Sequence, residues 1–360
     1  MNDNCEYKLE SFYLFFSLFF QNNDLDKNKK VLIVGAGGFI GGHLVKRILD
    51  NGNSIVATDI KPKEYWFQDF NESVNYYAMD MKDISNCRKV VKNIDYVFNM
   101  ACNMGGMGFI ENNKAECMQS VLINTNLLIA CKEKKVQRYF FSSSACAYNT
   151  TKQEDVFIEG LKEEDAYPAN PEDGYGWEKL FSERMCRHFQ EDYGLEVRVA
   201  RYHNIYGPYG TYDGGREKAP AALCRKVILA KKENLETIDV WGDGQQTRTF
   251  LYVDECVEGT LRLFESNHSD PINIGSDEQV SINQMIEMIE NISGVSSFIK
   301  NYQLDKPKGV RGRSSNNDLI KKVLNWSYKM SLKDGLSKTY KWIESEMNQK
   351  GSNLNRFTKS

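Results

Sequence analysis

The sequence lacks most of the features that would place it outside the ordinary globular proteins. Only 4 of its 360 residues are histidine, and its 9 cysteines form no C-x-x-C pair, so the usual signature of a metal site is absent. Charge of one sign is also lacking, because 46 basic side chains face 49 acidic ones and leave a net charge of −3. Without a positive field to hold a polyanion, we expect no nucleic-acid partner. The scattered cysteines are typical of reduced thiols in a cytoplasmic protein.

Long hydrophobic runs are missing as well. The one conspicuous apolar stretch, SFYLFFSLFF at residues 11–20, is too short to span a bilayer, so we expect no membrane association. The residues before it are acidic rather than basic, and no small-x-small cleavage site follows it. We therefore interpret the stretch as an aromatic N-terminal arm and not as a signal peptide.

What the sequence does contain is a regular alternation of strands and helices. Hydrophobic residues make up 41% of the chain, enough for a sizeable core, and 360 residues exceed the usual limit of about 250 to 300 for a single core. From Lys30 onwards, short β-branched runs alternate with helical stretches near residues 121–134 and 175–192. This rhythm predicts a Rossmann-like, doubly wound parallel sheet of at least six strands in an α/β protein.

The sequence pattern changes after Gly207, where glycine- and charge-rich segments replace the alternation of predicted strands and helices. We predict an arm at residues 1–29, an NAD-binding Rossmann-like domain at 30–207, a smaller α/β substrate-binding region at 208–345 and a tail at 346–360. Two later predicted strands, Asp239–Trp241 and Pro271–Ile274, are candidates for pairing with the main sheet. We therefore do not expect the domain boundary to be a single position in the sequence.

A glycine-rich turn follows the first predicted strand. Gly35, Gly38 and Gly41 stand at three-residue spacing where the chain enters a helix, with Phe39 and Ile40 between them. Such glycines let the backbone and a helix N-terminus approach a pyrophosphate. Asp59 ends the next strand, where a carboxylate can accept hydrogen bonds from ribose hydroxyls and would repel a 2′-phosphate. The pattern predicts NAD as the cofactor, and Asp80 at the end of the following strand is a weaker candidate for its adenine.

Tyr175 and Lys179 form a Y-x-x-x-K pair, which places both side chains on one face of a helix. An unperturbed tyrosine titrates near pH 10, so a base working near pH 7 needs its pKa lowered by about 3 units. We expect the Lys179 ammonium and a bound nicotinamide cation to lower it. The hydroxyl of Ser144, at the end of a predicted strand, could hold a substrate hydroxyl beside that phenol.

Three strings, GAGGFIG, SSSACAY and YGWEK, resemble the extended short-chain dehydrogenase/reductase family of nucleotide-sugar enzymes over about residues 30–344. The resemblance implies tightly bound NAD that oxidises a sugar hydroxyl to a ketone, chemistry beside that ketone, and return of the hydride. It also implies a homodimer formed through helices.

Four further strings, NMGGMGFI, SSAC, GGREKAPAA and GVRGR, resemble the branch of that family that epimerises GDP-mannose at carbons 3 and 5. Inverting a carbon beside a ketone requires an acid and a base on opposite faces of the ring, and the resemblance implies Cys146 and Lys218 for these roles. Dehydratases of the same family carry an Asp-Glu pair where this chain has Ala145 and Cys146. The residues assigned to the GDP-hexose are Gly105, Met107, Ser144, Ala145, Cys146, Asn204, Glu217, Lys218, Ala219, Lys226, Trp241, Gln246, Arg248, Arg311 and Arg313.

Two alternatives stay open at this point. The chain could be an NAD-dependent epimerase of a UDP- or dTDP-hexose, or a sensor that has lost its activity, although the intact Ser144, Tyr175 and Lys179 argue against the second. The chain departs from the family pattern at Asn149, where proline is common, at Gly174, where alanine is usual, and in its Phe-rich arm. His203 beside Asn204 is interpreted as a packing residue.

Overall fold

The computed structural model describes residues 25–70, 74–295 and 297–349. The strands are β1 (Lys30–Val34), β2 (Ser54–Asp59), β3 (Val74–Ala78), β4 (Tyr96–Asn99), β5 (Arg138–Ser144), β6 (Glu196–Tyr202), β7 (Ile205–Tyr206), β8 (Thr237–Trp241), β9 (Thr247–Thr249), β10 (Leu251–Tyr252), β11 (Ile272–Ile274), β12 (Gln279–Ser281) and β13 (Ile299–Gln303). The helices are α1 (Phe39–Asp50), α2 (Ile84–Val90), α3 (Met107–Asn112), α4 (Lys114–Met118), α5 (Ser120–Lys134), α6 (Asp173–Tyr193), α7 (Ala219–Glu233), α8 (Val253–Glu265), α9 (Ile282–Ser293), α10 (Asp318–Leu324) and α11 (Leu332–Gln349).

Seven strands form one parallel sheet in the order β3-β2-β1-β4-β5-β6-β11. Helices cover both faces, which is why strand β1 is apolar after its first residue, Lys30: Val31 and Ile33 belong to one core cluster, Leu32 and Val34 to the other. The first cluster includes side chains of α1 and α8, and the second includes side chains of α5 and α6. The predicted doubly wound parallel sheet is confirmed, with seven strands.

The region after Gly207 has a core of its own, to which α7, α9 and α11 contribute. Strand β11 pairs with β6 at the edge of the main sheet. The candidate Asp239–Trp241 does not return there, because β8 pairs with β13 in a separate two-stranded sheet. Its alternating exposed and buried residues explain the difference, since an inner strand of a sheet covered on both faces is buried throughout.

Most of the predicted N-terminal arm, including its Phe-rich stretch, lies outside the described residues, as does most of the predicted tail. Leu25 is buried, and its carbonyl accepts a hydrogen bond from Asn51 at the end of α1. At the other end, α11 continues to Gln349, beyond the start of the predicted tail. In the part of the chain that the structure describes, no helix is both long enough and apolar enough to cross a membrane.

A buried ion pair fastens helix α6 to the sheet. Arg201 on β6 donates from Nε and Nη2 to the two carboxylate oxygens of Glu183 on α6, at 2.9 and 2.7 Å. Both side chains are almost fully buried. Ser143 on β5 donates to the same carboxylate, so the contact joins two strands to the helix that carries Tyr175 and Lys179.

We expect Arg201→Met to destabilise the protein by about 3–5 kcal/mol, because it leaves the Glu183 charge buried without its partner. Urea unfolding followed by circular dichroism measures this loss. The control is Arg187→Met, whose exposed pair with Glu191 on the outer face of α6 should contribute less than about 1 kcal/mol. Equal losses in the two variants would contradict an anchoring role for Arg201.

Candidate active site

The turn between β1 and α1 leaves no room for a side chain at Gly35 or at Gly41 in the first turn of the helix. Gly35 has a φ of +83°, and the amide of Gly38 donates to the Gly35 carbonyl at 3.1 Å. A Cβ at Gly41 would overlap that same carbonyl oxygen. Phe39 and Ile40 open the helix and line the cavity described below. The turn thus presents open backbone at a helix N-terminus, which suits a pyrophosphate.

Asp59 is held at the end of β2 by two backbone amides. Its Oδ2 accepts from Gly37 and its Oδ1 from Lys61, both at 2.9 Å. Burial raises the pKa of this carboxyl, and these contacts oppose the rise. Asp80 lies beyond β3, where its Oδ1 accepts from the amide of Lys82 at 2.8 Å. Both carboxyl groups line the same cavity.

A cavity of about 710 Å³ runs from the glycine turn past both aspartates to the ends of β4 and β5. Ser144 and Tyr175 line its far end, together with Lys218 from the C-terminal region. The glycine turn, the acid at the end of β2 and a catalytic hydroxyl pair thus share one space. These residues fit NAD, with the pyrophosphate on the turn and the ribose at Asp59.

Tyr175 is buried at the start of α6 and is hydrogen-bonded to Ser144. Burial raises the pKa of Tyr175 well above its usual value, and the bond from Ser144 opposes the rise. The expected lowering by Lys179 together with a bound nicotinamide cation stays a prediction. Glu178 Oε2 lies 3.3 Å from the Lys179 ammonium and offsets part of its charge. Lys179 itself is buried and makes no well-formed hydrogen bond to the described residues, which leaves its ammonium able to bond a ribose hydroxyl.

Cys146 lies in a single helical turn directly after Ser144, with Ala145 before it. Arg313 donates from Nη1 to the Cys146 sulfur at 3.5 Å and from Nη2 to Glu172 Oε2 at 2.8 Å. Its Nε donates to Gln153 Oε1 at 2.7 Å. Burial and Glu172 raise the pKa of the Cys146 thiol to about 11, while Arg313 opposes the rise. Arg313 is therefore engaged with the acid/base candidate, whereas the sequence analysis assigned it to the GDP-hexose, as a contact of the diphosphate or of the hexose hydroxyls.

Lys218 stands at the N-cap position of α7, with Ala219 as the first helical residue. Burial lowers the pKa of its ammonium, and the Cys146 and Cys102 thiols oppose the change. The Lys218 side chain is half-buried and lines the cavity, so a substrate can reach it. The structure thus brings Lys218 into electrostatic contact with Cys146 although the two are far apart in sequence.

Two loops meet beside Lys218. Gly106 donates to the carbonyl of Arg216 at 3.0 Å, and a Cβ at Gly106 would overlap the carbonyl of Glu217. Arg216 donates from Nη1 to Asn103 Oδ1 at 2.7 Å. The carboxylate of Glu217 accepts from the amide of Gly215 at 2.7 Å and so shapes its own loop. Gly105 belongs to this contact as well, since a Cβ there would come 3.2 Å from the Cα of Arg216.

Two of the predicted arginines sit around the 309–313 loop. Arg248 is buried and donates to the carbonyls of Lys308 and Val310 at 3.1 and 2.6 Å, so it shapes this loop. Burial lowers the pKa of Arg248 to about 10, to which the nearby Arg313 contributes. Arg311 is more exposed and pairs with Asp243 at 2.8 Å. Met107 packs near the same loop, because a Cβ at Gly309 would come 3.0 Å from its methyl group.

The remaining predicted substrate residues lie outside the cavity. Trp241 is 43% exposed, and the Lys226 ammonium lies 6.0 Å from its ring centre while donating to the Asp239 carbonyl at 2.8 Å. Gln246 donates to the Trp241 carbonyl at 2.9 Å, and its buried Oε1 has no partner among the described residues. Asn204 adopts a φ of +45° and donates to the Thr249 carbonyl at 3.0 Å. Trp241 lies against α3, because a Cβ at Gly108 would come 3.2 Å from its ring, and its exposed part offers an aromatic face.

Several functional neighbours escaped the sequence reasoning. Glu172 and Gln153 contact Arg313, and Cys102 lines the cavity and interacts with Tyr175 and Lys179. Glu172 stands three residues before Tyr175, at the N-cap of α6, a place where an acid could have been noticed. Cys102 and Gln153 carry no such signal. His203 bonds Asn273 through Nε2 at 2.8 Å, and burial lowers its pKa to about 3.

The comparisons with known proteins agree with this geometry. The model of the NAD dependent epimerase/dehydratase family matches residues 31–275. The chain belongs to this family. It is 44% identical over 338 residues to GDP-mannose 3,5-epimerase of Arabidopsis thaliana, covering 93% of this chain and 88% of the relative. It is 46% identical over 319 residues to GDP-mannose 3,5-epimerase 1 of Oryza sativa subsp. japonica, covering 88% and 82%.

Among solved structures, the chain resembles UDP-glucuronic acid 4-epimerase from Bacillus cereus in complex with UDP-glucuronic acid and NAD. The TM-score is 0.75 at 27% identity, and the match covers 88% of this chain and 99% of the other. NAD is therefore the family's cofactor in name and in structure, in agreement with the prediction from the glycine turn and Asp59.

Two of the three departures from the family pattern, Gly174 and Asn149, have local structural reasons, while the Phe-rich arm lies outside the described residues. A Cβ at Gly174 would come 2.7 Å from the carbonyl of Lys114, so alanine would require a shift of the neighbouring helix α4. Asn149 accepts a hydrogen bond from the amide of Thr151 at 2.9 Å and caps the turn that carries Gln153. Neither residue touches Tyr175 or Cys146 in a hydrogen bond, so the reacting groups keep their arrangement.

We expect Gly41→Ala to lose bound NAD, because the added methyl group would overlap the Gly35 carbonyl and open the turn. Measuring NAD released by acid from the purified protein checks this. Gly42→Ala is the matched control in the same helix, since its methyl group would meet only the flexible end of Gln68 at 3.1 Å. Equal NAD content in both variants would contradict the assignment.

Proposed function

We propose that the protein is a redox-neutral epimerase that converts GDP-α-D-mannose to GDP-L-galactose, and to GDP-L-gulose when only carbon 5 is inverted. The observation that carries the proposal is the meeting of Cys146 and Lys218 beside Tyr175 and Ser144. Simple 4-epimerisation needs no additional acid/base pair, whereas inversion beside a ketone needs one. The similarity to two plant GDP-mannose 3,5-epimerases supports the same substrate.

The first task of the protein is to prepare the 4-hydroxyl of the hexose. Ser144 holds the hydroxyl, and Tyr175 takes its proton and later returns it. Lys179, one helical turn after Tyr175, would hold the cofactor ribose. NAD, when bound, would supply the hydride acceptor for carbon 4 and the hydride donor at the end of the cycle. The burial of Tyr175 keeps water away from this exchange.

The ketone at carbon 4 acidifies the hydrogens on carbons 3 and 5, and the protein must then move protons there. The raised pKa of Cys146 keeps it a thiol near neutral pH, which suits donation of a proton. The lowered pKa of Lys218 makes its neutral, basic form more accessible. An amine and a thiol brought from different loops can serve opposite faces of one ring.

We assign the nucleotide to the surface beyond the cavity. Trp241 offers an exposed aromatic face, and Lys226 and Arg311 offer positive charge near it. Arg248 acts through the carbonyls of the 309–313 loop, so its contribution is to hold that loop in shape. The buried Oε1 of Gln246 has no partner within residues 25–70, 74–295 and 297–349, which suits a hydrogen-bond donor on the base.

The test is incubation of the purified protein with GDP-mannose in deuterated water, without added NAD. We expect GDP-L-galactose and GDP-L-gulose that carry deuterium at carbons 3 and 5, read by proton NMR and mass spectrometry. Cys146→Ala and Lys218→Ala should each lower deuterium incorporation by about 100-fold or more, the usual contribution of a general acid or base. Glu163→Gln, a change remote from the cavity lining, should leave it unaltered.

Two outcomes would overturn the proposal. Unlabelled GDP-mannose recovered from a sample that contains NAD would exclude epimerisation of this sugar. Turnover of UDP- or dTDP-hexoses alone would identify the chain as a different epimerase of the family.

We also propose a cytoplasmic homodimer, with α5 and α6 as the contact. Leu122 on α5 and Trp177 and Phe181 on α6 are 47%, 45% and 51% exposed, which leaves an apolar strip on two neighbouring helices. The eight cysteines of the described residues, all of which are free thiols, support this location.

Phe181→Glu should shift the protein from dimer to monomer, because it places a charge inside the proposed apolar contact. Size-exclusion chromatography with light scattering measures the mass. The control is Phe157→Glu, which changes an even more exposed ring, at 70%, away from both helices. A dimer that persists in Phe181→Glu would place the contact elsewhere.

A further inference from the structure

The sulfur of Cys146 is in contact with both members of a buried ion pair. Arg313 is 3% exposed and Glu172 is 8% exposed, so neither charged group is hydrated by bulk water. Arg313 Nη1 lies 3.5 Å from the sulfur, and Arg313 Nη2 lies 2.8 Å from Glu172 Oε2. Cys146 is in turn hydrogen-bonded to the Glu172 side chain. The Cys146 thiol, the Glu172 carboxylate and the Arg313 guanidinium therefore each contact the other two, and we call this cluster the triangle.

The backbone fixes this triangle in place. The amide of Glu172 donates to the carbonyl of Cys146 at 2.9 Å, and a Cβ at Gly176 would overlap that carbonyl. Gln153 accepts from Arg313 Nε and holds the guanidinium from its third side. The sulfur therefore has a carboxylate acceptor and a guanidinium donor available at the same time, with little freedom for either to move away.

We propose that Glu172 and Arg313 are positioning residues that give Cys146 an acceptor when it is a thiol and a donor when it is a thiolate. A group that must both give and receive a proton at carbon then keeps a hydrogen bond in each state. The sulfur can donate to Glu172 as a thiol or accept from Arg313 as a thiolate without rotation of the Cys146 side chain. Its role in epimerisation rests on the proposed function, but the behaviour of the thiol can be measured without substrate.

Other charges also act on this sulfur, and the test must separate them. The titratable or charged groups that interact with Cys146 are Glu172, Tyr175, Lys218, Arg248 and Arg313. Of these, Glu172 and Arg313 are hydrogen-bonded to it, and they act in opposite directions on its pKa. Removing one or the other should therefore move the reactivity of the thiol in opposite directions.

The experiment measures alkylation of Cys146 by iodoacetamide between pH 7 and 9, where the thiolate is the reacting form. Cleavage after Arg138 and Lys152 releases a peptide, residues 139–152, in which Cys146 is the single cysteine. Cleavage after Lys82 and Arg88 isolates Cys87 in the same way, and this fully buried thiol reports general opening of the protein. Both rates come from one digest by mass spectrometry.

Glu172→Gln keeps an acceptor and removes the charge, so we expect Cys146 to react about tenfold faster, corresponding to one pKa unit. Arg313→Gln should slow the reaction by a similar factor, and Arg313→Lys, which keeps the charge, should restore part of the rate. The control is Glu163→Gln, which removes a carboxylate that accepts from the backbone amide of Asn273. It should leave the rate of Cys146 alkylation unchanged. Cys87 should keep its rate in every variant.

A merely structural role would loosen the packing and raise both the Cys146 and the Cys87 rates in all variants. Faster alkylation of Cys146 in Arg313→Gln and Arg313→Lys, or no change in Glu172→Gln, would overturn the proposal. Because the readout needs no sugar, failure here is distinguishable from failure of the substrate assignment, which the deuterium experiment measures.

Discussion

One backbone contact determines the arrangement of the reacting groups. The carbonyl of Cys146 accepts from the amide of Glu172 and lies so close to Gly176 that any side chain there would overlap it. This contact joins the end of β5 to the first turn of α6. Tyr175 lies between Glu172 and Gly176 in sequence, so the same contact brings its phenol to Ser144 and Cys146. A shift of the helix by the width of one methyl group would separate all of them.

Helix α6 bears an unusual amount of buried charge for an element of the core. Glu178 and Lys179 are each 1% exposed, and Glu183 is paired with Arg201 on the neighbouring strand. Isolated charges in such surroundings are costly, and well-formed pairs at best offset their loss of hydration. Their effect here is geometric: Arg201 attaches the middle of the helix to β6, and Arg313 attaches its first turn to the 309–313 loop. The charges orient the helix that carries the catalytic face.

The sequence sufficed to predict elements whose causes are local. The glycine turn, the strand periodicity and the Y-x-x-x-K spacing depend on neighbouring residues, and the structure has the corresponding turn, sheet and helix. The pairing of β8 with β13 was missed, because strand partners far apart in sequence leave no local trace. For the same reason the pairing of Arg313 with Glu172 was invisible. The raised pKa of Tyr175 has no local signal either, because it comes mainly from burial, which depends on how distant residues pack around the phenol.

The candidate site is divided between the two halves of the chain, and the chemistry explains why. Ser144 and Cys146 lie on one short turn, so both would approach a bound sugar ring from the same side. A second proton-transfer group for the other face must come from a different element, and Lys218 arrives on α7 from the C-terminal region. The backbone bond from Gly106 to Arg216 and the bond from Arg216 to Asn103 hold the two halves together beside it. On the proposed assignment, inversion at carbon uses groups from both regions, whereas hydride transfer uses protein groups from the first alone.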